Sequence, residues 1–216
     1  MFKDREEAAR RLADALDMYR DRPGLTVLAI PRGAAVIGAV VADALGASLD
    51  LVGVKKIGAP GNPEFAVGAI DEDGTVMTNP GASVTSDYVG TEAVRLRSLI
   101  VERLARYRGG RSAAPLENRT VIIVDDGVAT GLTALAAVDF ARRRGASEVV
   151  VAAPVMAPDA HLRLQESADA VVSLSTPPGF MAVGQFYEHF PQVDDDEVEA
   201  ILTAASTTVP TATEGP

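Results

Sequence analysis

Short apolar runs alternate with helix-like segments from residue 25 to residue 175, and no other feature of the chain constrains its fold as strongly. The apolar runs are "LTVLAI", "LDLVGV", "VIIV", "EVVVAAPV" and "AVVSLS", and between them stand segments such as "AAVIGAVVADALG" and "LTALAAVDFARRRG". Continuous apolar runs are typical of parallel strands that are buried on both faces. We therefore expect an α/β fold in which helices flank a doubly wound, mostly parallel sheet.

Several further segments are predicted from local pattern. Apolar residues at helical spacing predict amphipathic helices over residues 4–20 and 91–107. "SLDLVGVKK", residues 48–56, is expected to be the second strand, and the Asp-Gly turn in "DEDG" predicts a hairpin over residues 65–78. The glycines and prolines of "IGAPGNPEFA" instead predict an irregular, flexible loop near residues 57–66.

The pattern changes after the last apolar run, which suggests three regions. Residues 1–175 are expected to form the core, including the N-terminal helix. Residues 176–203, rich in proline and aromatic residues, are expected to form a small lobe that folds over the sheet edge and ends in a helix. Residues 204–216 have little to bury and are expected to be a disordered tail.

Composition excludes several classes of function. The net charge of −10 disfavours DNA binding, because nucleic-acid affinity depends on lysine and arginine displacing counterions. The chain contains no cysteine, so disulfides and thiolate metal sites are excluded. No segment has the apolar length of a membrane span, and the N-terminus lacks the apolar core of a signal peptide. We expect a cytoplasmic protein.

The segment "VIIVDDGVATGLT", residues 121–133, is the best candidate for a functional site. A strand that enters a Gly/Thr turn and then a helix presents backbone N–H groups and a positive helix end to an anion. We expect a phosphate to be held by Ala129, Thr130, Gly131, Leu132 and Thr133. The lysine that a nucleoside-triphosphate loop uses to bind phosphates is missing, which disfavours that kind of loop. Carboxylates accept hydrogen bonds from the vicinal hydroxyls of a sugar. Asp125 and Asp126 therefore predict a ribose 5-phosphate ligand with a leaving group at C1, and they would also stabilise positive charge that develops on the sugar.

This segment resembles the signature of the type I phosphoribosyltransferases, which bind 5-phosphoribosyl 1-diphosphate (PRPP). The resemblance covers the chain from about residue 25 to residue 190 and implies further site residues. Pro31, Arg32 and Gly33 match the family loop that binds diphosphate, often through a strained or cis peptide, and Arg32 would neutralise the leaving group. Lys55 and Lys56 match a basic position beside a closing loop. Because neighbours on a strand point to opposite faces, we expect only one of them to act, and which of the two contacts diphosphate is left open. Lys56 is the candidate for a catalytic role and Lys55 for a binding role.

The same resemblance identifies the C-terminal lobe as the family's "hood", which recognises the acceptor base. Phe180 or Met181 would stack on that base, and backbone groups near Val183 would read its edge; the alternative for these aromatic residues is plain packing. The 6-oxopurine enzymes carry an acid where this chain has Ala129, and a methyl group cannot act as a general base. The acceptor is therefore left unassigned.

The resemblance also implies a cofactor and partners. Mg²⁺ would enter with PRPP, held mainly by substrate and water oxygens and in addition by Asp125, Asp126 or Glu188; an ordinary surface role for Glu188 is the alternative. The expected partners are PRPP, a small nitrogenous acceptor and a second copy of the chain in a homodimer. The rival hypothesis is a PRPP-sensing regulator without catalysis, although its usual N-terminal DNA-binding domain does not fit into the residues before Leu25.

Overall fold

The computed structural model describes residues 1–79, 81–82 and 84–208, and its elements are numbered here in chain order. The helices are α1 (Arg5–Ala15), α2 (Ala34–Leu45), α3 (Ser86–Arg108), α4 (Leu132–Arg143), α5 (Pro158–Gln165) and α6 (Asp195–Thr208). The strands are β1 (Leu25–Ala29), β2 (Ser48–Leu51), β3 (Val54–Ala59), β4 (Asn62–Asp71), β5 (Val76–Thr78), β6 (Thr120–Val124), β7 (Glu148–Val155) and β8 (Ala170–Ser175).

The main sheet is parallel and has the strand order β2-β1-β6-β7-β8 within the described part of the chain. Its residues alternate between two apolar cores: Val27 and Ile122 pack with α1 and α2, whereas Leu28 and Ile123 pack with α4 and α5. Helices thus cover both faces, which is why the strands read as continuous apolar runs. The predicted α/β, doubly wound architecture is confirmed.

A second, antiparallel sheet with the order β3-β4-β5 lies outside the main sheet. The prediction of an irregular loop near residues 57–66 was wrong, because this segment forms most of a hairpin in which β3 pairs with β4. The glycine and proline residues mark a tight turn at residues 60–61, and buried Ile57 and Val67 anchor the two strands. The expected single strand over residues 48–56 is likewise divided between the two sheets. The hairpin over residues 65–78 is confirmed as β4 and β5.

The helices at both ends of the chain differ slightly from their predicted bounds. The side chain of Asp4 caps α1 by accepting from the Glu7 N–H at 2.8 Å, and a short 3₁₀ turn follows the helix. Helix α6 continues to Thr208, so the expected disordered tail does not begin at residue 204, and residues 209–216 lie outside the described residues. Among the helices described, none has the length and hydropathy to span a bilayer.

Candidate functional site

The predicted phosphate, sugar and diphosphate segments meet at the carboxyl edge of the main sheet. Strands β1 and β6 are parallel neighbours with Ala29 opposite Val124, and the N–H of Ile30 donates to the Val124 carbonyl at 3.1 Å. The loops that follow these strands are therefore forced side by side. One loop contains Pro31–Gly33 and the other contains Asp125 and Asp126.

The two loops touch at Gly33 and Asp126. A Cβ added at Gly33 would lie 1.9 Å from Asp126 Oδ2, so any larger residue would displace the carboxylate or the loop. The Pro31–Arg32 peptide bond is cis. The resemblance implied such a peptide in this loop, and the contact brings the predicted diphosphate and sugar residues together.

Asp125 and Asp126 lie in a largely desolvated position at the end of β6. Oδ1 of Asp125 accepts from the Asp126 N–H at 2.8 Å, and Asp126 Oδ2 is 2.8 Å from Nε of Arg5. Burial, together with the charge of Asp126, raises the pKa of Asp125 well above its usual range. Burial also raises the pKa of Asp126, but the Arg5 guanidinium opposes that shift. The site thus concentrates negative charge and compensates it with one arginine that sequence reasoning had missed.

The predicted phosphate loop leads directly into α4. Gly131 has φ +79° and stands at the N-cap of this helix without a capping side chain, which leaves the first N–H groups of the helix without helical partners. Ala129 and Thr130 are exposed and Thr133 is half-buried, so an anion from solvent can reach this loop. The side chain of Leu132 is instead buried in the core, so this residue can contact a phosphate only through its backbone.

Three cations line a pocket beside the Pro31–Gly33 loop: Arg32, Lys55 on β3 and Arg103 on α3. The pocket is open to solvent, and the empty space of about 330 Å³ between its lining residues includes part of that solvent. Burial lowers the pKa of Lys55, and the charges of Arg103 and Arg32 lower it further. Arg32 is held 3.4 Å from Asp195 at the start of α6. Arg103 was not identified from the sequence, because only the packing of α3 on β3 brings it here.

Lys56 lies away from this pocket, on the other side of β3. It is exposed and lines a surface depression with Tyr88 and Arg95, whereas Lys55 is half-buried beside Arg32. The expectation that only one lysine of the pair faces the site agrees with this placement. The structure favours Lys55 for that position, so the catalytic role assigned to Lys56 is corrected.

The hood residues follow β8 in the chain and pack next to the loop that contains Asp125 and Asp126. Val183 fills the space next to Gly127, where an added Cβ would lie 2.5 Å from Val183 Cγ1. Phe180 is half-buried and packs on Phe186 with ring centroids 5.0 Å apart, which agrees with the plain-packing alternative for Phe180. Met181 is 86% exposed, so a large apolar side chain of the hood is accessible to a ligand.

The N-terminal helix and the hood close around Asp126. The hydroxyl of Tyr187 donates to the Asp126 carbonyl at 2.6 Å, and burial raises the pKa of Tyr187. Glu188 is exposed, and its N–H donates to the Phe2 carbonyl at 2.8 Å. Within the described ranges, no three acidic or histidine side chains gather as a metal site, so Glu188 is not brought into a cluster with the two aspartates.

Comparison with known proteins places this geometry in context. A family model described as the phosphoribosyl transferase domain matches residues 2–187. Rv0571c of Mycobacterium tuberculosis, whose name assigns it provisionally to the phosphoribosyl transferases, is 43% identical over 209 residues, covering 95% of this chain and 47% of that protein. The chain thus spans about half the length of the curated relatives it matches. The crystal structure of TT1426 from Thermus thermophilus has a TM-score of 0.80 and 44% identity, covering 94% of this chain and 98% of that one.

Proposed function

The chain belongs to the phosphoribosyl transferase domain family, and from this premise we propose that it transfers the 5-phosphoribosyl group of PRPP to a nitrogen of a base-like acceptor, with release of diphosphate. The observation that carries the proposal is the contact between Gly33 and Asp126. It brings a loop for diphosphate against two acids for the sugar, a few residues before a helix N-terminus suited to the 5-phosphate. Diphosphate, ribose and the 5-phosphate are joined in the same order in PRPP.

The acids act on the sugar. In the proposed reaction the acceptor nitrogen forms a bond to C1 with its lone pair, and the C1–O bond breaks with its electrons leaving on diphosphate. Positive charge develops on the ribosyl ring in between. Asp125 and Asp126 stabilise that charge and accept hydrogen bonds from the sugar hydroxyls. Their burial strengthens both interactions, because little water screens them.

The cation pocket acts on the leaving group. Arg32, Lys55 and Arg103 line one cavity, and each can donate to phosphate oxygens. Asp195 offsets part of the repulsion among these cations, but burial and the charges of Arg103 and Arg32 still lower the pKa of Lys55. A bound diphosphate would relieve the remaining repulsion. The pocket therefore favours the departing anion, which carries more negative charge than the ester.

The carboxylates at the site also fit Mg²⁺. Oxygen donors are the ligands that this ion prefers, but the described residues provide only Asp125 and Asp126 here, and Arg5 occupies one oxygen of Asp126. The ion would therefore be held mainly by substrate and water oxygens. When bound, Mg²⁺ supplies neutralisation of the diphosphate charge.

The acceptor would bind between the phosphate loop and the hood. Met181 is the exposed apolar side chain available to stack on a base, and Val183 fixes the hood against Gly127. Ala129 provides no proton acceptor, so the acceptor must react without a base at that position. We leave the identity of the acceptor open.

Titration calorimetry of PRPP in the presence of Mg²⁺ tests the proposal. We expect saturable binding, and its absence at millimolar PRPP would overturn the proposed function. A diphosphate-release assay over a panel of purine and pyrimidine bases then tests catalysis. Release with at least one base supports the transferase, whereas PRPP binding without release from any base would instead indicate a PRPP-sensing protein.

The double substitution Asp125→Asn and Asp126→Asn tests the role of the acids. We expect turnover to fall by roughly 100-fold or more, since the stabilisation of the ribosyl cation is lost. Circular dichroism and thermal unfolding serve as the folding control. Activity that survives within a few-fold would contradict the assigned role.

A further inference from the structure

Arg5 is a buried arginine at the start of α1 that the proposed chemistry does not use. Its side chain is 9% exposed, although α1 is otherwise an amphipathic surface helix. Nε donates to Asp126 Oδ2 at 2.8 Å and Nη1 donates to the Pro191 carbonyl at 2.7 Å. The guanidinium carbon also lies 3.7 Å from the centre of the Phe190 ring.

These contacts use the specific geometry of a guanidinium. Its planar fork donates in two directions while its face stacks on an aromatic ring, which a lysine ammonium cannot reproduce. A Cβ added at Gly33 would lie 3.0 Å from Nη2, so the guanidinium also touches the diphosphate loop. Arg5 thus contacts the sugar acid, the diphosphate loop and the hood at the same time.

A purely structural role for Arg5 would be to attach α1 to the rest of the protein. The apolar face of α1 already does this, since Ala8, Ala9 and Leu12 are fully buried. Burying an arginine is costly unless it is paired, and here its charged partner is the acid placed at the sugar. The Arg5 contacts therefore stabilise the position of Asp126 and do more than attach α1.

We propose that Arg5 is a positioning residue for Asp126 and that it couples this acid to the hood. This inference rests on the proposed function. By occupying Oδ2, the guanidinium directs the remaining oxygen, Oδ1, towards the sugar. By binding Phe190 and the Pro191 carbonyl, it ties the orientation of the carboxylate to the segment that receives the acceptor. Tyr187 makes a parallel link from the hood to the main-chain carbonyl of Asp126.

The test compares Arg5→Gln and Arg5→Lys in the whole chain, with PRPP and, separately, diphosphate titrated by calorimetry in the presence of Mg²⁺. We expect Arg5→Gln to weaken PRPP binding by roughly 10-fold or more, as is common for residues that orient a ligand-binding group. Diphosphate has no sugar for Asp126 to bind, so we expect its affinity to change less. Arg5→Lys keeps the charge but cannot donate in two directions while stacking on Phe190, so it should also bind PRPP less tightly than the wild type.

Arg11→Gln is the matched control. Arg11 lies on the same helix, stacks on Phe2 at 4.9 Å and pairs with Glu7 at 3.3 Å, but it is half-exposed and makes no contact with Asp126. We expect its affinities for PRPP and for diphosphate to equal those of the wild type.

The outcomes separate this inference from the proposed function. If the wild type does not bind PRPP, the proposed function fails. If the wild type binds PRPP and a folded Arg5→Gln variant binds it with the same affinity, or loses affinity for PRPP and for diphosphate equally, the Arg5 inference is overturned while the function stands. If Arg5→Gln does not fold, Arg5→Lys decides, and wild-type affinity in that variant overturns the inference.

Discussion

At the scale of single residues, the site contains ionisable side chains at buried positions, and burial disfavours their charged forms. Asp125 is a carboxylate with a strongly raised pKa, and Lys55 is an ammonium with a lowered one. Burial is the largest cause of both shifts. Such groups are costly for the fold and useful to a ligand that brings the opposite charge. Their substitution therefore has opposite effects on stability and on binding.

Asp125→Asn should stabilise the protein while impairing turnover. A folded-state pKa above the unfolded value of about 3.9 makes the ionised side chain destabilising, and this cost grows as the pH rises through the interval between the two values. The asparagine should raise the free energy of unfolding at neutral pH and change it little in strong acid, where the aspartate is neutral in both states. Urea unfolding at several pH values measures this, and an equal gain at all pH values would contradict it.

Lys55→Met should weaken diphosphate binding and remove part of its pH dependence. Diphosphate binds the charged form of lysine more tightly than the neutral form. The affinity of the wild type for diphosphate should therefore fall as the pH rises through the lowered pKa of Lys55, at a lower pH than for an ordinary lysine. The variant should bind roughly 10-fold less tightly at neutral pH and lack this alkaline decline. Calorimetry with Mg²⁺ and diphosphate is the measurement. Lys56→Met, on the neighbouring exposed position, is the control and should behave like the wild type.

At the scale of elements, the sequence predicted the strands of the main sheet well because each is a continuous apolar run, as in Val121–Val124. It failed at residues 57–66, where glycine and proline are compatible with a loop or with a short hairpin turn. The pairing of β3 with β4 depends on burial against α3 and α4, which no local pattern reveals. The acids and the phosphate loop were predictable because they are contiguous. Arg5 and Arg103 were not, since distant helices deliver them.

Arg108, the last residue of α3, joins the two sheets. Its guanidinium lies 3.1 Å from Asp50 on β2 and 3.4 Å from Glu72 in the β4–β5 turn, and both acids are about nine-tenths buried. It also donates to the Leu51 carbonyl at 3.0 Å.

Arg108→Met should destabilise the fold by about 3–5 kcal/mol, since two buried carboxylates lose their cation. Burial already raises the pKa of Glu72, so the loss should be smaller in acid, where the carboxylate is neutral. Urea unfolding measures the effect. Arg106→Met is the control: this half-exposed arginine pairs with Asp195, Asp196 and Glu199 of α6 close to solvent, so we expect a loss of stability clearly smaller than that of Arg108→Met. Equal losses in the two variants would contradict the assignment.

At the scale of the whole molecule, the small sheet is held to the main domain by apolar contacts, including those of Ile57 and Val67, and by charged contacts at one end. Arg143 pairs with the buried Asp71, and Arg144 lies 2.6 Å from the partly exposed Asp73, which connects the end of α4 to the β4–β5 turn. Salt weakens the exposed Arg144–Asp73 pair. We expect the small sheet, which ends in the partly exposed strand β5, to open more readily than the buried central strands β6 and β7.

Hydrogen exchange should reveal this difference. Without ligand, the amides of β3, β4 and β5 should exchange faster than those of β6 and β7, and more so at high salt. Mass spectrometry of the exchanged peptides is the measurement. Uniform protection across both sheets, or protection that salt does not alter, would contradict the expectation.

The position of Lys55 on one sheet and of Arg32 on a loop of the other has a mechanical consequence. An anion that binds both cations adds a cross-link between the two sheets, which Arg108 and apolar packing also connect. Diphosphate should therefore slow amide exchange throughout β3–β5, far beyond the residues that it touches, and release of diphosphate should free the same strands again. The leaving group of the proposed reaction would then stabilise the small sheet against local opening for as long as it is bound.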